Sequence, residues 1–307
     1  MTLAVLRRQN RLRIFVTLVV ATVLYWLAVC AAAIAFALVL LARVVLEGGP
    51  SIPDSGDDFR IVGIVIAVVV VIGAVVGSVI AAFQLPLQRS RLERRVLAET
   101  GALVVTGGQH VRVRNLLEGL AIAAHIPPPR FAVIGELAPN SFAVGTRPEK
   151  ALVAVTTGAI NTFSRDELEA ILAYEVSRIG SWDVALTSWT VALTGAAMSE
   201  VQSGFARFIG FIPYHGSVLL QRWALRDSAG ARDRAAVRFT RNPLSLINAL
   251  EVLQSNQHEV KAVTPATAPL WVEVPGSSML PERIAALRQL AGADPALNSE
   301  PATDPVQ

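Results

Sequence analysis

The side chains best placed to do chemistry sit together in one short stretch, Ala173-Tyr174-Glu175-Val176-Ser177-Arg178-Ile179. Ser164, with Glu167 three residues on, forms the pattern of a capping box and starts a helix. Leu168, Ile171, Leu172, Val176 and Ile179 then recur at helical spacing, so one face is apolar, and Gly180 is the expected C-cap. Glu175 falls a heptad after Leu168 and so points toward that face. A carboxylate taken out of water needs a partner or a task. Spacing alone leaves two readings open, a buried functional carboxylate or a glutamate at the rim of the stripe paired with Arg178 at i+3.

Other chemistries are poorly supplied. The four histidines, His110, His125, His215 and His258, have no metal-ligand spacing, and the single cysteine, Cys30, cannot close an internal disulfide. The formal charge of +3 comes almost wholly from arginine, Lys150 and Lys261 being the only lysines. No basic stripe interleaved with aromatics accompanies it, so no nucleic-acid partner is expected. Arginine far outnumbering lysine suggests a bacterial source of high GC content.

The elements that must position Glu175 include a membrane anchor. Only 17% of the 307 residues are charged and mean hydropathy is +0.50, against about a quarter charged in soluble domains. Residues 14–42 and 61–83 contain no charge, and each run exceeds the roughly 20 residues of a membrane-crossing helix. Leu27-Ala28-Val29-Cys30 resembles a lipoprotein cleavage box, but the apolar stretch continues well past Cys30, longer than a signal peptide requires. Arg7, Arg8, Arg11 and Arg13 precede the first run, and Arg89, Arg91, Arg94 and Arg95 follow the second. Positive flanks stay cytoplasmic, so the expected protein is multi-pass in a bacterial inner (plasma) membrane, with its N-terminus and main domain cytoplasmic. Residues 184–199 and 208–220, the latter interrupted by Pro213, are apolar but short. They are expected to form a membrane-associated helical hairpin, buried or interfacial, with a second membrane-spanning hairpin as the alternative.

The main domain mixes helices with a few strands. Residues 96–124 carry helical periodicity around a Gly107-Gly108 break, and Pro127-Pro128-Pro129 forces an extended turn. Arg130–Ile134 and Ala151–Thr156 are β-branched and bounded by turn formers, with a third short strand within Pro139–Gly145. The class is mainly α with a small β-sheet (α+β). Its organisation is an anchor at 1–88 with two transmembrane helices, a domain at 89–290 and a disordered tail at 291–307 that is rich in Pro, Ala, Asp and Ser.

With these residues in view, the chain resembles the membrane-bound M48 metallopeptidases, the HtpX-like and CAAX prenyl protease-like group. The family's Asn-Ala-Phe strand is matched by Asn140-Ser141-Phe142, its Val-Thr-Thr-Gly turn by Val155-Thr156-Thr157-Gly158, and its Ser-Arg-Asp-Glu-Leu helix start by Ser164–Leu168. The segment from Asp233 to Pro243, with Leu246–Leu250, is similar to the region around the family's third zinc ligand, and Arg283-Ile284 to its last helix. The resemblance implies a zincin-like peptidase domain behind a transmembrane hairpin.

It also implies a site, and the site departs from the pattern. The family's HExxH helix falls on Tyr174, Glu175 and Arg178, with Asp183 after it, and the third ligand position falls on Ala229. Glu175 keeps the general-base position, while a phenol, a guanidinium and a methyl group stand where zinc ligands are expected. The family's Thr-His-Pro-Pro is replaced by Gly276-Ser277-Ser278-Met279. The expected protein is therefore a catalytically degenerate M48-like integral membrane protein, a non-catalytic peptide-binding, scaffold or regulatory subunit that holds no metal cofactor, zinc being expected only in active relatives. Its expected partners are the bilayer and another membrane protein or a peptide segment. The alternative is an active zinc endopeptidase using other ligands. Asn140, Ser141 and Phe142 are expected to offer an open edge for a peptide. Glu175 and Arg178 are expected to pair, with Tyr174 donating a hydrogen bond.

Overall fold

The computed structural model describes residues 3–46, 56–201, 207–225, 229–256, 260–274 and 279–293. Residues 47–55, between the two apolar runs, lie outside these, and so does residue 294 onward of the expected tail. Two long helices open the chain, α1 (Leu3–Leu46) and α2 (Gly56–Thr100). They are followed by β1 (Leu103–Val104), α3 (Val111–Ala123), β2 (Arg130–Ile134), β3 (Ser141–Val144), β4 (Leu152–Thr156), α4 (Thr157–Thr162) and α5 (Arg165–Gly180). Then come α6 (Asp183–Val201), α7 (Arg207–Ala224), α8 (Ala229–Thr240), α9 (Pro243–Ser255) and α10 (Met279–Ala293). The class is the expected one, mostly helical with a small mixed sheet. The sheet order is β1-β2-β4-β3; β2 and β4 run parallel, while β1 and β3 are antiparallel to their neighbours.

The chain divides into two compact units. The first comprises residues 1–14, 91–191 and 223–307; the second comprises 15–90 and 192–222. The first unit holds the hydrophobic core, in which α5 packs on α3, α8, α9 and β3. In the capping box that starts α5, Ser164 Oγ accepts from the Glu167 N–H and Glu167 Oε2 accepts from the Ser164 N–H. Such a cap contributes about 0.5–2 kcal/mol. The helix runs one residue further than expected, with Ser181 rather than Gly180 at the C-cap. Its end is held by the N-terminal turns of α1: Arg7 Nε donates to the Gly180 carbonyl at 3.1 Å and Asn10 Nδ2 to the Ser181 carbonyl at 3.0 Å. A cation there also meets the negative end of the helix dipole. Trp182 (φ 65°) turns the chain into α6, its ring under the Arg11 guanidinium at 5.1 Å. Gly158 is required by close approach, since a Cβ there would lie 2.0 Å from the Leu137 carbonyl oxygen.

In the second unit α1 and α2 approach through small residues. A Cβ on Gly73 would fall 2.7 Å from Ala33 Cβ, and Trp26 Nε1 donates to the Ala74 carbonyl at 3.3 Å. Away from that seam, Phe15, Leu27, Phe36, Val39, Val68 and Ile72 are exposed. So large an uncovered apolar surface suits hydrocarbon rather than water. α1 carries an apolar run long enough to cross a membrane, Ala4–Val39, while the described apolar part of α2, Gly63–Val79, is shorter. Residues 184–220, expected to form a hairpin, carry the helices α6 and α7, and α7 continues as helix through Pro213. The two-residue β1 was not expected, and α10 extends to Ala293, past the expected start of the tail at 291.

Candidate functional site

Glu175 and Arg178, one turn apart on α5, are both sealed from solvent. Arg178 Nη1 donates to Glu175 Oε2 at 3.0 Å, and Nε donates to Asp183 Oδ2 at 2.9 Å. The remaining carboxylate oxygens are engaged as well. Ser141 Oγ on β3 donates to Glu175 Oε1 at 3.0 Å, and Arg232 Nη2 on α8 donates to Asp183 Oδ1 at 2.7 Å. Four elements thus close a buried group of two cations and two anions, and α5 supplies its centre.

Burial pushes the Glu175 carboxyl above the usual carboxylate range, against the opposing pull of Arg178 and the Ser141 hydroxyl. Burial acts the same way on Asp183, but Arg232 and Arg178 outweigh it and hold that carboxyl below its ordinary range. Arg178 stays charged: burial disfavours its cation, yet Glu175 and Asp183 more than compensate. Asp183 is therefore the firm counter-ion of the group, and Glu175 is the member that most readily takes up a proton.

Tyr174 is buried beside the pair but contributes its ring. The guanidinium carbons of Arg178 and Arg283 lie 5.7 and 5.1 Å from the ring centroid, so the π-face serves two cations, where a hydrogen bond to the pair was expected. Arg283, on α10, forks onto Asp233 of α8 at 3.0 and 2.7 Å. Ala229 is the first residue of α8, the helix that carries Arg232 and Asp233.

The M48 resemblance implies zinc here, and the residues present do not fit it. A guanidinium has no lone pair to give and carries its own positive charge, a tyrosine oxygen is not among the usual zinc ligands, and alanine has no donor. Both oxygens of Glu175 are already bonded. Among the described residues, no three His, Cys, Asp or Glu side chains gather as a metal would need. The cation of Arg178 stands between the carboxylates of Glu175 and Asp183.

The edge of the sheet differs from expectation. β3 is the outer strand, and all four of its residues are buried, because the chain's own segment Leu270–Glu273 lies along it. Phe142 and Trp271 form an antiparallel bridge, with their rings 4.8 Å apart and edge to face. The Val272 N–H donates to the Ser141 carbonyl at 2.9 Å. The Asn140 amide pairs with the Glu273 backbone in both directions, at 2.8 and 3.3 Å. Asn140, Ser141 and Phe142 do contact a peptide, but it is an internal one, and the open edge expected from sequence is filled. Arg178 Nη1 also donates to the Leu270 carbonyl at 2.9 Å, and Arg283 Nη1 to that of Val272 at 3.1 Å.

Sequence reasoning missed Arg232 and the segment at 270–273, which leaves a 3-10 turn at Leu270 and bridges to β3 through Trp271. Arg232 carried no spacing signal. The alternation in Trp271-Val272-Glu273-Val274 was the one cue to an extended segment there, and it is too short to stand apart from the Thr/Pro-rich stretch before it.

The model of peptidase family M48 matches residues 109–291. A protease HtpX homolog from Dictyoglomus turgidum is 30% identical over 204 residues, covering 60% of this chain and 67% of the relative. Its counterpart from Pediococcus pentosaceus is 27% identical over 208 residues, 59% of this chain and 70% of the relative. A third, from Streptococcus mutans, is 29% identical over 227 residues, 64% and 74% respectively.

Proposed function

Taking as premise that this chain belongs to peptidase family M48, we propose that it is a member without hydrolytic activity, working in the membrane as a scaffold or regulatory subunit. The observation that carries this is the fully buried Arg178, held between Glu175 and Asp183. A zinc-bound water reaches a pKa near 7 only through direct coordination. A guanidinium supplies positive charge without coordination, so Glu175 has no acidified water to deprotonate.

Metal analysis of the detergent-purified chain is the deciding experiment. The expected result is no stoichiometric zinc and no chelator-sensitive cleavage of casein. About one zinc per chain with chelator-blocked cleavage would establish the alternative, an active endopeptidase with other ligands. The triple change Tyr174→His, Arg178→His and Ala229→Glu is expected to create zinc affinity. Failure in a folded protein would refute the placement of those three positions.

Membrane insertion with both ends of the α1–α2 pair on the cytoplasmic side belongs to the same proposal. It is supported by the exposed apolar belt and the arginine-rich flanks. A periplasm-active reporter is expected to be active when fused at Asp57 and silent at Ala102, and the opposite pattern would invert the orientation.

A further inference from the structure

Strand addition seats an extended peptide on a free sheet edge, taking affinity from backbone hydrogen bonds and specificity from alternate side chains. Leu270–Glu273 makes that set of contacts on β3: an antiparallel bridge, a backbone bond to Ser141, the Asn140 amide on Glu273 and an aromatic side chain against Phe142. Two buried arginines add donors to its carbonyls, and one of them is Arg178. We propose that Leu270–Glu273 is a resident peptide on the domain's own recognition edge, and that an extended partner segment with a large aromatic side chain displaces it.

Two further observations mark the seat as one that accepts a different occupant. Trp271 Nε1 is buried without an acceptor, and so is Nη2 of Arg178, which lies beside the same strand. A native strand that leaves buried donors unmet is held less tightly than one that meets them. The unmet Trp271 Nε1 weakens the hold of the resident segment itself, and the seat keeps one donor in reserve, Arg178 Nη2, for a peptide that carries an acceptor there. Tethering gives the resident strand a high effective concentration, so displacement requires either a good competitor or a loosened strand. This inference concerns who occupies the edge and does not depend on whether hydrolysis is lost.

The test uses the full chain in detergent and a fluorescein-labelled heptapeptide copying residues 268–274, Ala-Pro-Leu-Trp-Val-Glu-Val, with a version in which Trp is replaced by Ala. Val272→Pro removes the N–H given to Ser141, and Trp271→Ala removes the ring against Phe142. Either variant is expected to bind the Trp peptide at least about tenfold more tightly than the native chain, because a larger fraction of its edges stands open. The Ala peptide is expected to bind neither. Hydrogen exchange of α5 reports which variants keep the fold. Equal binding to native chain and variants overturns the proposal, and so does no binding to a variant whose α5 remains protected. The native chain gives a reading that needs no substitution. Trp peptide at about millimolar concentration, comparable to the effective concentration of a short tether, is expected to expose the amides of residues 270–273 to exchange while α5 stays protected. Unchanged exchange there overturns the proposal.

Discussion

Arg178 and Arg283 are two buried arginines on different helices, each touching the Tyr174 ring and each holding a carbonyl of the 270–273 segment. Their acids set them apart. Arg283 meets Asp233 in a two-bond fork, the geometry in which guanidinium and carboxylate fit best. Arg178 divides itself between two carboxylates, gives each a single bond and leaves Nη2 with no acceptor. A matched fork of this kind is what a structural tie needs. The divided arginine with its orphaned donor is the imperfect arrangement that accumulates at functional sites, where local rules give way to another demand. In this chain it stands at the position the family resemblance gives to a histidine.

Removing each arginine in turn is the strongest way to break that comparison. Arg283→Ala strips Asp233 of both its bonds to the guanidinium inside the core and is expected to cost roughly 3–5 kcal/mol. Arg178→Ala is expected to cost less, about 3 kcal/mol, at the lower end of that range. Asp183 keeps Arg232 in that variant, and Glu175, whose carboxyl already sits high, can become neutral. Thermal unfolding in detergent ranks the two, and a reversed order would end the distinction between tie and remnant.

A double-mutant cycle sharpens it. Glu175→Gln and Arg178→Met each leave one buried partner without its mate, whereas the double variant leaves neither charge. The two changes are expected to couple by about 0.5–3 kcal/mol, the double being less damaging than the sum. Strict additivity would show that the 3.0 Å contact between them carries no energy. Smaller still is Ser141→Ala, which takes one hydrogen bond from Glu175 Oε1. A loss of about 1–2 kcal/mol is expected near neutral pH, measured by the same unfolding curves. That loss should shrink as the pH falls and the carboxyl is protonated. A loss independent of pH would mean that Ser141 acts on packing alone.

The amino-acid sequence made the scaffold legible where elements are long and strongly patterned. The capping box at Ser164 and the apolar repeat from Leu168 to Ile179 place α5, and the β-branched runs place β2 and β4. The Glu175–Arg178 pair followed from i,i+3 spacing on a buried face. What sequence could not supply was long-range. Asp183 meets Arg232 across 49 residues, and Asn140 meets Glu273 across 133, with no local signal tying either pair together. The filled edge was invisible for the same reason, since an outer strand and a covered one have the same local pattern. The arginines before α1 carried a second meaning, for beyond the charge bias of a membrane flank Arg7 and Arg11 tie α1 to the turn after α5.

Glu273, at the end of the resident segment, links the Arg283 centre to pH. Burial pushes its carboxyl up to about 7 from an ordinary 4.5, against the opposing charge of Arg283 and the Val274 N–H. An acid whose pKa is raised by folding binds its proton more tightly in the native state than in the unfolded chain. Stability from this group is therefore complete below about 4.5 and is lost as the pH climbs through about 7. Glu175 shifts in the same direction, whereas Asp183 shifts the opposite way and acts only at more acid pH. Glu273→Gln is expected to flatten part of the decline between pH 5 and 7.5 and to leave the acid limb untouched. Because Glu273 is only partly buried, the gain at pH 7.5 should be under about 1 kcal/mol. Hydrogen exchange of residues 270–273 should follow the same curve, with protection greater at pH 5 than at 7.5 once the intrinsic pH dependence of exchange is removed. If unfolding curves of the native chain and Glu273→Gln superimpose across that range, the carboxyl does not report on the strand, and Arg283 holds Val272 without its help.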